Sequence, residues 1–401
     1  MSRLPSGAFW PLACFAALGT FWGAWAALLP DIRLQIGASD AELGLAMLGA
    51  GAGALPAMLL AGRLWRRLGW WLLPLFAAAY SMATLSPLLA TTPAHLALAL
   101  VTVGASSGAL DVAMNAAISD VEAQTRARLM YGAHALFSLA VLVAAVTTGL
   151  ARDMGAGPPQ VLTGVAVVLA LTTAGSVVAA ARRRPAAPDP PVVGEAGLRF
   201  PGRGVFAVLA ALCATALLIE DAVQNWGALH LERTLLTGPA LGGAAPGIFA
   251  GAMFAGRSLG QVLGARLSER ALVGGGGVLA AIGLMLVAAA PVPAVALAGL
   301  ATAGAGIALV APALYARAGR LAGSRGRGAA IATLTFFGYM GFLVGPVLMG
   351  ILAQAAGLRV AMAALAVLGL GLAITGAIAF RDRSHGNVLA RGEELLRTGR
   401  G

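Results

Sequence analysis

Gly104-Ala-Ser-Ser-Gly108-Ala-Leu-Asp111-Val-Ala-Met-Asn115-Ala-Ala-Ile-Ser119 lies inside a hydrophobic run of membrane-spanning length, yet it carries a carboxylate and a carboxamide. Gly104, Gly108, Asp111 and Asn115 are spaced 4, 3 and 4, so on a helix they share one stripe. The remaining faces are Val, Leu, Ala and Met. A charge at that depth costs about 2.5–3.5 kcal/mol on insertion scales, so it turns toward a bundle interior or a wet cavity. The stretch reads as one helix of a polytopic bundle with a polar centre. Two roles stay open for Asp111: handling a proton or substrate, or a buried hydrogen bond that only holds two helices together.

Composition widens this reading to the whole chain. Of 401 residues, 59% are hydrophobic and 11% charged, a balance that belongs to membrane proteins rather than soluble domains. Twelve stretches of about 20 residues are long enough to cross a hydrocarbon core. Their expected limits are 8–30, 43–62, 70–90, 95–118, 131–151, 159–181, 204–229, 245–266, 271–291, 293–316, 329–353 and 359–380. All should be helices, because lipid cannot satisfy an open backbone. Pro30, Pro93, Pro158-Pro159 and Pro291 mark expected boundaries. The first apolar stretch exceeds the core of a cleavable signal and is read as a retained helix.

The net charge of +11 invites a nucleic-acid reading, but the 27 basic residues, all Arg, are scattered over short loops. With both termini in the cytoplasm, 22 of them fall inside and four (Arg33, Arg152, Arg233, Arg359) outside, with Arg257 within a span. That asymmetry fixes the orientation and accounts for the charge without nucleic acid. Cys14 and Cys213 sit in apolar runs, and no disulfide framework or metal-ligand spacing appears. No phosphate-cradling glycine loop with its Lys is present, which disfavours ATP-driven transport. Nor is there a metal pair, a nucleophile–base pair or an HExxH that would indicate an enzyme.

The expected organisation is a six-helix half (1–181), a Pro/Arg-rich cytoplasmic linker (182–203), a second six-helix half (204–380) and a cytoplasmic tail (381–401). A faint repeat supports it: Trp22-Gly-Ala24 and Trp226-Gly-Ala228 fall at matching places. Parallel repeats of this kind put a substrate site at the midplane, between the halves.

Twelve spans split six and six resemble the major facilitator superfamily. Gly62-Arg63-Leu-Trp-Arg66-Arg-Leu-Gly69 is similar to that family's loop after the second helix, with Arg66 where an Asp is usual; Gly264-Ala-Arg-Leu-Ser-Glu269-Arg270 is its counterpart after helix eight. Asp111-Val-Ala-Met-Asn115, His134-Ala-Leu-Phe-Ser138, Glu220 through Trp226 and Gly338-Tyr-Met-Gly-Phe-Leu-Val-Gly-Pro346 resemble the fucose-permease-like branch and its uncharacterised bacterial inner-membrane relatives. The resemblance implies an all-α, twelve-helix fold, a monomer in the bacterial inner membrane, and alternating access driven by the proton gradient without a cofactor. It also implies Gly62, Arg63, Arg66 and Glu269 as gating residues.

Four ionisable residues fall at membrane depth: Asp111, Glu220, Asp221 and Arg257. Asp111 is the first candidate for proton coupling, about seven residues and 10 Å of rise from the cytoplasmic end of its helix. Glu220 and Asp221 are rivals, and one of them is expected to pair with Arg257, which lies on the next helix. His134 could serve as a relay or as a packing group. Expected ligand contacts are Asn115, Gln224 and Asn225 with Trp22, Trp25, Trp226, Tyr315, Phe336 and Tyr339, a set suited to a solute with apolar faces and hydroxyls. The first reading is proton-driven uptake of a neutral, sugar-like solute. Proton-antiport export of amphipathic compounds and a non-transporting membrane sensor are the alternatives.

Overall fold

The computed structural model describes residues 5, 7–125, 127, 129–182, 203–263 and 267–380, so nearly all of the expected linker, the whole tail and Gly264–Arg266 lie outside the described residues. Ten helices open the fold: α1 (Phe9–Gln35), α2 (Asp40–Leu68), α3 (Leu72–Ala83), α4 (Pro93–Thr125), α5 (Met130–Asp153), α6 (Pro158–Ala181), α7 (Arg203–Thr234), α8 (Pro239–Leu263), α9 (Gly276–Ala289) and α10 (Pro293–Ile307). The stretch Val310–Ala379 follows as one helical run broken at Gly323 (φ 67°) and Gly357 (φ 86°). Both angles suit glycine alone, so the run divides into 310–322, which continues α10, then α11 (324–356) and α12 (358–379).

Local chemistry explains the ends. Pro93, Pro158, Pro239 and Pro293 each stand first in a helix, where a missing N–H costs nothing. Ser39 caps α2 through a capping box, its N–H donating to Glu42 at 2.8 Å. Gly69, at φ 51°, stops that helix.

Ten segments of the described residues are long and apolar enough to cross a membrane. One of them, Thr333–Ala379, is cut at Gly357 into two crossings, and the 25-residue α8, which carries Arg257, supplies the twelfth. Leucines such as Leu59, Leu89, Leu98 and Leu171 stand outward, as a lipid-facing surface requires. Trp25, Trp226, Tyr80, Phe15, Phe21 and Phe249 fill the largest buried positions.

Three expectations about boundaries need correction. Pro30 does not end the first helix but lies within α1. The Gly62–Leu68 motif is not a loop; it forms the last two turns of α2. Most consequential is α4, which runs to Thr125 rather than 118, so Asp111 stands 14 residues before its end. That is about 21 Å of rise, twice the expected depth.

Helices α1–α6 form one half and α7–α12 the other, joined along three seams: α2 with α11, α5 with α8, and α1 with α7 and α8. Two seams run on glycine. A methyl on Gly44 would stand 2.4 Å from the Pro346 carbonyl oxygen, and one on Gly149 would stand 2.8 Å from that of Pro239. Only bare backbone permits that approach. Both contacts lie toward the end of the bundle that holds Asp31, Asp40 and Arg152. The opposite end carries Arg63, Arg67, Arg270, Arg317 and Arg320.

Candidate functional site at the bundle centre

Four helices bring the membrane-depth polar residues together. On α7, Glu220 accepts from Arg257 Nη2 of α8 at 3.3 Å through either oxygen. Arg257 also donates through Nη1 to Ser138 Oγ of α5 at 3.3 Å, so its guanidinium bridges the two halves. Ser138 is buried and donates in turn to the His134 carbonyl at 3.2 Å. The His134 ring is edge-on to Phe15, 5.2 Å between centroids. The expected α7–α8 ion pair therefore involves Glu220, and Ser138, which the sequence reading passed over, is its link to the other half.

Asp111 and Asp221 repeat one motif on α4 and α7. Asn115 Nδ2 donates to Asp111 Oδ1 at 3.1 Å and to its carbonyl at 2.8 Å. Asn225 Nδ2 donates to Asp221 Oδ1 at 2.9 Å and to its carbonyl at 3.1 Å. In each half, an amide one turn further along holds the carboxyl in place. Asn115 and Asn225 thus spend their donors on an acid rather than presenting them freely to a ligand.

The aromatic set separates into two groups. Tyr315 hydrogen-bonds with Cys213 and Thr335, and the neighbouring Tyr339 lies within electrostatic range of Asp111 and Tyr315 while its ring leans on Phe342. These two belong to the polar centre. Gln224 is half-buried on the Glu220 face of α7. Trp22 is half-buried and edge-on to Phe21 at 5.2 Å. Phe336 is about half exposed and edge-on to Phe337.

Trp25 and Trp226, at 1% and 0% exposure, face no open space; Trp25 stacks on Phe21 at 6.1 Å. Helical spacing groups side chains on a face but does not set the direction in which that face points, and for Trp25 and Trp226 it points into packing.

Gly62 and Arg63 lie on the last turns of α2, Arg63 exposed; the Arg66 side chain lies outside what is described. Glu269 forms ion pairs with Arg317, at 3.4 Å, and with Arg320. Asp120 accepts from Trp70 Nε1 at 3.0 Å, and Glu122 accepts from the N–H groups of Leu129 and Met130, the latter at 2.9 Å.

A second cluster, unassigned from sequence, closes the opposite end. Arg152 is 3% exposed and donates to both oxygens of Asp31, at 2.6 and 2.7 Å, to Glu232 at 2.6 Å, and to the Ala27 carbonyl at 2.8 Å. Beside it, Asp40 pairs with Arg33 at 2.9 Å and with Arg233. Gln354 of α11 accepts from the Asp40 N–H at 3.2 Å. Glu232 and Arg233 are consecutive on α7, so two adjacent residues of one half dock onto two clusters of the other. The available signal was the placement of Arg33, Arg152 and Arg233 at helix ends beside Asp31, Asp40 and Glu232.

This geometry is a twelve-crossing bundle of two related halves around a polar centre, shut at one end by ion pairs. An uncharacterized MFS-type transporter of Yersinia pestis is 32% identical over 363 residues, covering 90% of this chain and 92% of its own. The chain belongs to the major facilitator superfamily. Residues 202–399 match that family's sequence pattern directly. Among solved structures, the nucleoside transporter NupG overlays with a TM-score of 0.73 at 12% identity, covering 94% of this chain and 100% of its own. The E. coli fucose:proton symporter FucP overlays at 0.58 with 15% identity and the same coverage. As a major facilitator protein the chain is a multi-pass membrane transporter, and its two halves are the units between which such a transporter carries a small molecule.

Proposed function

We propose that the protein is a proton-coupled secondary transporter that takes up a neutral polar solute by alternating access, with Asp111 as its principal proton carrier. The observation that carries this reading is the division of charge at the bundle centre. Arg257 is the base at membrane depth, and Glu220 takes it up. Among the described residues Asp111 receives only an amide, so a proton is the cation that can neutralise it as access alternates. Tyr339 beside it, Tyr315 beside Tyr339, and Gln224 on the Glu220 face of α7 offer hydroxyl, amide and ring surface to a solute bearing hydroxyls. Relatives in fold that carry a nucleoside and fucose support a neutral polar cargo. The excess of Arg at one end makes that end cytoplasmic in a bacterial inner membrane, with both termini on that side.

The test is reconstitution in proteoliposomes, with an imposed pH gradient and a panel of labelled sugars and nucleosides. Wild type is expected to accumulate one of them with the gradient. Asp111→Asn is expected to lose gradient-driven accumulation while keeping solute exchange across equal pH. Full gradient-driven uptake by Asp111→Asn overturns the assignment. Gradient-driven extrusion by wild type replaces uptake with export.

A further inference from the structure

Glu220 and Asp221 are neighbours on α7 with opposite surroundings. Glu220 meets a guanidinium through both oxygens. Asp221 Oδ1 accepts from Asn225, whereas Oδ2 is shut away from the surface and accepts no hydrogen bond among the described residues. Oδ2 lies toward the seam between α7 and α11, where a methyl on Gly345 would stand 3.6 Å from it.

Among the described residues, the elements packed on α7 offer Asp221 no base. Arg257 of α8 is engaged by Glu220, and Tyr315 of the 310–322 segment by Cys213 and Thr335. Tyr339 of α11 is a phenol near Asp111, an acid rather than a base. On α1, Cys14 is a buried thiol, and Asp31 and Arg33 are taken up at the closed end. The nearest charge on α7 itself is Glu220, a second carboxylate, which opposes another negative charge beside it.

An ionised carboxylate with one oxygen dry and unpaired bears a desolvation cost that the Asn225 amide on the other oxygen offsets only in part. The neutral acid carries no net charge into the seam. With its proton on Oδ2, it leaves Oδ1 as the acceptor Asn225 requires. We propose that Asp221 is a second proton-binding site, loaded in this conformation, so that the related pairs Asp111–Asn115 and Asp221–Asn225 set one protonatable carboxyl in each half. The proton comes from water and returns to water when α7 exposes the seam. Its use in transport rests on the proton coupling proposed above; its presence on Asp221 does not.

The experiment is infrared spectroscopy of the purified protein at neutral pH, following the carbonyl stretch of un-ionised carboxylic acid, with Asp221→Asn, Glu220→Gln and Asp111→Asn compared with wild type. A neutral-acid band is expected that Asp221→Asn removes and Glu220→Gln leaves in place. Asp221→Asn should also melt with wild type, since an amide reproduces the shape of the neutral acid. A band unchanged in Asp221→Asn, or one removed by Glu220→Gln instead, overturns the proposal. Should Asp221→Asn fail to fold, wild type decides with Asp221→Glu: a band displaced by the longer side chain supports the site, and a band appearing only in acid overturns it. Loss of proton coupling in the liposome assay with the band intact strikes the transport reading alone.

Discussion

The two ends of the bundle use charge in opposite ways. At the closed end, Glu232 and Arg233 of one half reach Arg152 and Asp40 of the other. At the basic end, the described ion pairs, Glu269 with Arg317 and Arg320, stay within the second half. The lesson lies in what remains when the halves part. Asp31–Arg152 and Arg33–Asp40 are each complete pairs within the first half, and Glu232 and Arg233 are adjacent opposite charges on the second. Separation at the closed end would therefore leave neither cluster with a net charge. The cost of opening is the lost close pairing rather than stranded charge, which is how a strong seal can still be reversible.

The most severe way to break the comparison is to forbid closure. Gly149→Leu places a side chain where even a methyl would stand 2.8 Å from the Pro239 carbonyl oxygen. The α5–α8 seam cannot form around it, so transport should be abolished. A cysteine introduced at Ala27, now fully buried, should become reactive to an impermeant maleimide. An unreactive Ala27→Cys in that background would show that the seam does not control the closed end.

Arg152→Gln comes next. It leaves Asp31 and Glu232 facing each other with no base between them, and breaking a buried pair of this kind costs about 3–5 kcal/mol. The melting temperature in detergent should fall by many degrees and should recover in part when Glu232→Gln is added. A double variant no more stable than the single would mean that the lost arginine acted through the Ala27 carbonyl alone.

Arg233→Gln should do much less. Its side chain is 40% exposed, and Arg33 still holds Asp40 at 2.9 Å, so the change in stability should stay within about 1 kcal/mol. Maleimide labelling at the closed end should rise modestly rather than fully.

How much of this was legible in the sequence follows from what each feature costs. Twelve crossings were readable because lipid demands a minimum apolar length, and Asp111, Glu220 and Arg257 stood out because a charge at that depth is expensive. The last two turns of α4 were not readable. Asp120 and Glu122 make the segment polar, yet both acids hold it in place by accepting from Trp70 and from the start of α5, and hydropathy registers only the polarity. The direction of Trp25 and Trp226 depends on helix rotation, which periodicity leaves free. The closed-end clusters join Arg152 to Asp31 and Glu232, and Asp40 to Arg233, across 121, 80 and 193 residues. A single sequence marks these charges at helix ends but does not say which of them pair.

The smallest effect belongs to the basic end. Glu269→Gln removes the acid from partners that are 39% and 53% exposed, where water screens the pair and its contribution is about 0–1 kcal/mol. Stability in detergent should barely change. Because the pair lies within one half, the labelling of Ala27→Cys at the closed end should match that of Glu269 protein. A large rise in that labelling would mean that an ion pair inside one half biases the seal between halves. The two ends would then be coupled through the tilt of α10 and its 310–322 continuation rather than acting as independent closures.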